Sequence, residues 1–68
     1  MKNEVYHDFG FVLPKQLQEM IRQLDSAVQT HDLIIDCIQD EIRNLAHCLL
    51  NEEQGEQVID YYCRRRWF

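Results

Sequence analysis

Only one proline and two glycines punctuate this 68-residue chain, and none of the three falls between residues 15 and 54. A stretch that long without a strong breaker excludes a succession of short strands joined by tight turns. Nothing in the chain approaches the roughly 18 consecutive apolar residues of a membrane-spanning helix. The opening residues, MKNEVYHDFG, lack the apolar segment of a secretory leader. Cysteine is sparse too. Cys37, Cys48 and Cys63 are odd in number and widely spaced, which excludes a disulfide framework and points to reduced thiols in a cytoplasmic protein.

The motifs of catalysis are also missing. There is no Gly-rich phosphate loop, no nucleophile elbow and no His-Glu-x-x-His. Asp36, Asp40 and Glu41 lie about one helical turn apart. Beside Asp32 and Arg43 they read as a solvated helix face, not a general acid and base. No Cys-x-x-Cys or His-x-x-x-His occurs. Cys37 and Cys48, eleven residues apart, would stand about 16 Å apart along a helix, too far for one ion to bridge. The expectation is a chain without enzymatic activity, metal or cofactor, whose cysteines act as small apolar residues.

What the chain does have is a hydrophobic repeat. Ile21, Val28, Ile35, Ile42 and Leu49 recur every seventh residue, and Leu17, Leu24, His31, Ile38 and Leu45 form a second series four residues earlier. Together they mark one stripe on a helix, with His31 as its single polar member. A chain this short makes a marginal core alone, and association with a second copy is a common remedy. The ten residues are therefore the expected interface of a homo-oligomer. β-Branched residues in four of five positions of the first series favour a dimer. The apolar flanks Met20, Ala27 and Ile34 fit a four-helix arrangement, such as a tetramer or two chains of two helices, better than a bare zipper. A buried His31 facing its mate would act as a pH-sensitive element, since charging an imidazole in the seam is costly.

The expected fold is all-α. A long helix covers about 14–50 and a shorter one about 52–66, bundled by homo-oligomerisation, behind an extended arm at 1–13. Pro14 suits a helix start. Residues 29–32 are the point at which the long helix would break into a hairpin, with Thr30 or Asp32 capping the second half. Unbroken, 14–50 would span about 55 Å. From residue 33 to 50 the apolar arc widens to about half the circumference, so this part should touch two neighbours. Asn51-Glu-Glu-Gln54 reads as a capping box for the last helix, and Gly55 weakens that helix by about 1 kcal/mol relative to alanine. In the arm, Val5, His7, Phe9, Phe11 and Leu13 alternate with mostly polar neighbours, which suggests extended chain whose aromatics cover the helices.

Charge narrows the function. The formal net charge is −5. Residues 1–63 alone carry 4 basic and 12 acidic side chains, a net of −8. Such a body repels nucleic acid and anionic membrane and suits a partner protein with a basic surface. The end of the chain reverses the sign with Arg64, Arg65, Arg66, Trp67 and Phe68. Those residues either fold back onto the acidic body, with the aromatics completing the core, or meet a partner. The expectation is a small acidic protein–protein interaction module (adaptor, regulator or inhibitor) acting as a homo-oligomer. The alternative is a nucleic-acid-binding regulator that dimerises through the long helix and uses Arg64 to Trp67 on phosphates and bases.

Overall fold

The computed structural model describes residues 5–65 and 67. Three helices follow one another: α1 (Lys15–Thr30), α2 (Ile35–Leu49) and α3 (Glu52–Cys63). No strand occurs among the described residues. The protein is all-α, as its periodicity requires.

The long helix is broken. Its stripe keeps phase across the break, yet the backbone turns at residues 31–34 and the longest dimension of the molecule is 31 Å, far below the 55 Å of an unbroken rod. His31 takes a left-handed conformation at φ 54°. The Asp32 N–H donates to the Ala27 carbonyl (2.9 Å) and the His31 N–H to the Val28 carbonyl (3.3 Å). These two bonds are a Schellman closure, which satisfies carbonyls that the end of a helix leaves open. Asp32 Oδ1 accepts from the Ile34 N–H at 3.1 Å and holds the turn, but neither Thr30 nor Asp32 caps α2, whose N-cap is Ile34 without a side-chain bond. The physical reason for the hairpin is burial. Folded at 31–34, the stripe of α1 meets the stripe of α2 in one chain; straight, neither would be covered without a second copy.

The position of the stripe is therefore a correction to the sequence reading. Leu17, Ile21, Leu24, Val28, Ile35, Ile38 and Ile42 were expected between chains, and all seven are buried inside one. Leu45 is half-buried and Leu49 is 41% exposed. His31 is exposed at the end of α1. The proposed pH element needed a buried imidazole in a seam, and no seam encloses this one.

α2 is the middle member, packed against α1 on one side and α3 on the other. Its wide apolar arc has the two neighbours it called for, both from its own chain. Asn51 caps α3 as the capping box predicts, its Oδ1 accepting from the Gln54 N–H at 2.8 Å. Gly55 is explained by distance. A Cβ built there would lie 3.1 Å from the Ala46 carbonyl oxygen, so a side chain at residue 55 would require α3 and α2 to give by a few tenths of an ångström. α3 ends at Cys63, three residues before the expected limit, because the chain turns back to dock Trp67.

The arm lies across the helices without forming a strand. Val5 is buried, and Phe9, Phe11 and Leu13 pack on the core. Tyr6 (60%) and Val12 (89%), the alternate residues, face solvent. The period-two pattern of the arm is thus one side turned to the helices and one to water.

Two stability outcomes follow. Gly55→Ala gains about 1 kcal/mol of helix propensity, but it presses on a backbone carbonyl that cannot rotate away, an overpacking cost of about 1–3 kcal/mol. Chemical denaturation of Gly55→Ala should show a net loss near 1 kcal/mol. His31→Gly should do the opposite. It removes the left-handed strain of a residue with a Cβ at an exposed site, and should raise stability by up to about 1 kcal/mol in the same assay.

Candidate interaction surface

The sequence singled out the C-terminal residues, and the structure anchors them to the body. Trp67 is 1% exposed, and its Nε1 donates to the Tyr62 carbonyl at 3.1 Å. That carbonyl lies in the last turn of α3, where no helical N–H remains to satisfy it. Gln39 of α2 donates to the same oxygen through Nε2 at 2.9 Å. The Trp67 ring stacks beside Tyr62, with centroids 6.1 Å apart, and meets Tyr61 edge-on at 5.7 Å. Arg65 lies over both Tyr61 (4.9 Å) and Trp67 (5.0 Å). Arg64 is held by Glu56 at 2.8 Å and Asp60 at 3.4 Å. Arg66 and Phe68 lie outside the described residues. Of the four residues expected to meet a partner or nucleic acid, Trp67 is thus inside the core, Arg64 is neutralised by two acids, and Arg65 caps two rings.

Tyr62 joins the whole assembly. Its side chain is fully buried, and its Oη donates to the Val5 carbonyl at 2.6 Å, fastening the arm to α3. Burial pushes the phenol well above its ordinary pKa, and neighbouring Tyr61 adds to the shift. Cys63, one residue on, donates from Sγ to the Gln39 carbonyl at 3.2 Å, and its thiol pKa is likewise raised by burial. At both groups burial favours the neutral form. No group of three or more His, Cys, Asp or Glu side chains arranged to hold a metal occurs among the described residues. No helix there is long and apolar enough to cross a membrane.

With the stripe inside and the tail docked, the unsatisfied surface is the outer side of α2. Leu33 is 94% exposed and Ile34 50%. Ile34, Cys37, Glu41, Leu45 and Cys48 follow at spacings of three and four, which places them along one side of the helix. Cys37 and Cys48 are exposed, and Leu49 extends the strip at its far end. Asp32, Asp36 and Asp40 are exposed beside it. The strip is apolar at both ends and acidic in the middle. Sequence reasoning placed Cys37 and Cys48 on the flank of the arc but passed over Leu33. Its signal was available, since Leu33 is a large apolar residue outside both heptad series.

The comparisons bring no relative to this surface: no protein-family model, curated protein or solved structure matches the chain.

Tyr62→Phe should strand the Val5 carbonyl without a donor, costing about 1–3 kcal/mol and speeding hydrogen exchange in the arm. The raised phenol pKa also fixes a pH dependence. The folded state holds the Tyr62 proton more tightly than the unfolded chain, whose tyrosines ionise near 10. The contribution of Tyr62 should therefore be complete below about pH 10 and fall as pH rises beyond it. Denaturation of wild type and Tyr62→Phe from pH 8 to 11 should show the two converging at the alkaline end.

Proposed function

We propose that this chain is a small acidic protein–protein interaction module that docks its partner on the outer strip of α2. The observation that carries the reading is Leu33 at 94% exposure beside Ile34 at 50%, in a chain whose other leucines are half-buried or better, Leu49 apart. Covering a leucine or isoleucine side chain fully is worth about 1.5–3 kcal/mol, so Leu33, Ile34 and Leu49 together form a contact of useful strength. Glu41 inside the strip, with Asp32, Asp36 and Asp40 beside it, sets the partner's chemistry. It is an apolar row, such as one face of an amphipathic helix, flanked by lysine or arginine.

A second copy of the chain is the other occupant. The long apolar side of α2 and its exposed thiols favour it, and it retains the homo-oligomer expected from the heptads on a different surface. An antiparallel pair matching Ile34 with Cys48 of its mate would bring the two Glu41 side chains together, which ranks self-association second. A buried Trp67 offers no face to a base, which ranks the nucleic-acid reading below both.

The test uses the full chain and a helical peptide with a leucine row flanked by lysines. Sedimentation gives the mass of the protein alone, and NMR maps the peptide's footprint. A monomer that binds the peptide along α2, loses it on Ile34→Asp and ignores a glutamate-flanked control supports the proposal. A dimer dispersed by Ile34→Asp assigns the strip to a second copy instead. A monomer that binds neither peptide, or binds the lysine peptide only on α3, overturns the reading.

A further inference from the structure

A cleft of about 320 Å³ opens between the arm and α1. Phe11, Leu13, Ile21 and the Tyr62 ring give it apolar walls, and Arg22 supplies its fixed cation. Val12, which also lines it, is 89% exposed. The cleft is separate from the strip on α2 and is built of different residues.

Three observations define what fits. The first is the sign of the charge. The chain holds 12 acidic residues, and two other clefts, along α3, include Glu52 and Glu56 in their walls. Among the described residues no acid lines the cleft beside the arm. The second is that Arg22 has no ion-pair partner among the described residues, whereas Arg43 and Arg64 both do. A free guanidinium beside an apolar wall matches a carboxylate in charge and in planar, two-pronged geometry. Arg22 is the one permanent cation of the lining, with the imidazole of His7 as its other basic group, and one permanent cation suits a monoanion better than a doubly charged phosphate. The third is size. A volume near 320 Å³ is at the small end of ligand sites, which run from about 300 to 1,000 Å³, so the body of the ligand is a single ring or a short branched chain. Gln18 Nε2 is already engaged on the Leu13 carbonyl at 2.8 Å. That bond fixes the start of α1 against the arm and leaves Arg22 as the cation for the anionic head.

We infer that this cleft binds a small apolar carboxylate, its ring or chain against Phe11, Leu13 and Ile21 and its anionic head on Arg22. Two sources share that chemistry: a free organic acid, and the C-terminal residue of a peptide ending in an apolar side chain.

The experiment is an amide NMR titration of the full chain with 3-phenylpropionate, at constant ionic strength, beside its neutral isostere 3-phenylpropanamide. The expected result is saturable shifts at Val12, Leu13, Gln18 and Arg22, with the amide weaker by about tenfold or more, as loss of a charge-assisted pair implies. Arg22→Gln, an exposed site whose change should leave the fold and melting unaltered, should weaken the acid by a similar factor. Val12→Asp, at another exposed site, should weaken it as well by placing a like charge in the cleft. A peptide ending in phenylalanine, as free acid and as amide, separates the sources. Tighter binding of its free acid than of 3-phenylpropionate supports the site and assigns it to chain termini; weaker binding supports it as a site for free acids. Equal affinity for acid and amide, unchanged binding in Arg22→Gln, or no saturable shift in the cleft at millimolar ligand would overturn the inference.

Discussion

Tyr62 is the residue through which the separate parts of this molecule are joined. Its hydroxyl holds the arm at Val5, and its carbonyl takes one hydrogen bond from α2 through Gln39 and one from the C-terminal segment through Trp67. Its ring sits in a cluster with Phe9, Tyr61 and Trp67. A buried hydroxyl and a helix-end carbonyl both demand partners. Here the partners come from three different stretches of chain. That demand is what turns an extended arm and a short basic segment into parts of one core.

The same constraint decides which surface is left for function. With Val5 and Trp67 both tied to Tyr62, Arg64, Arg65 and Trp67, which look like binding groups, are occupied in holding the fold. The heptad stripe is occupied as well, one half covering the other across the turn at 31–34. What remains is the outer strip of α2 and the cleft under the arm. One is apolar with acidic flanks, and the other is apolar with a single cation. They differ in sign, shape and scale, and the occupants we propose differ accordingly: a helix with basic flanks on the first, a small acid in the second.

Small chains meet the shortage of core in several ways. Here the solution is close approach and the burial of Val5 and Trp67 from outside the helices. Gly55 lets α3 come close to Ala46 of α2, and Val5 and Trp67, near the two ends of the chain, are both buried. Beside a second copy, the sequence also offered the arm and the last residues as cover for the core. They contribute aromatic rings, which bury more area each than any aliphatic residue.

Much of this was legible in the sequence. The spacing of Leu17, Ile21, Leu24 and Val28 determines α1, because only a helix puts those residues on one face. Asn51 to Gln54 determines the start of α3 through its cap. The wide arc of α2 determines that it has two neighbours. The sequence alone did not decide whose helices those neighbours are, because an apolar stripe is satisfied equally by its own chain or by another. The turn at His31 decided it, and no proline, glycine or asparagine marks that turn; its left-handed residue is tolerated because the closure hydrogen bonds and the burial of two stripes outweigh a small local strain. The roles of Arg64, Arg65 and Trp67 were likewise open, since three cations and an aromatic ring suit phosphate, a partner or a helix end. Only the tertiary structure brought Gln39 of α2 to the orphan carbonyl of Tyr62 and the Tyr62 hydroxyl to Val5, and a hydrogen bond between distant groups is not written in any local pattern.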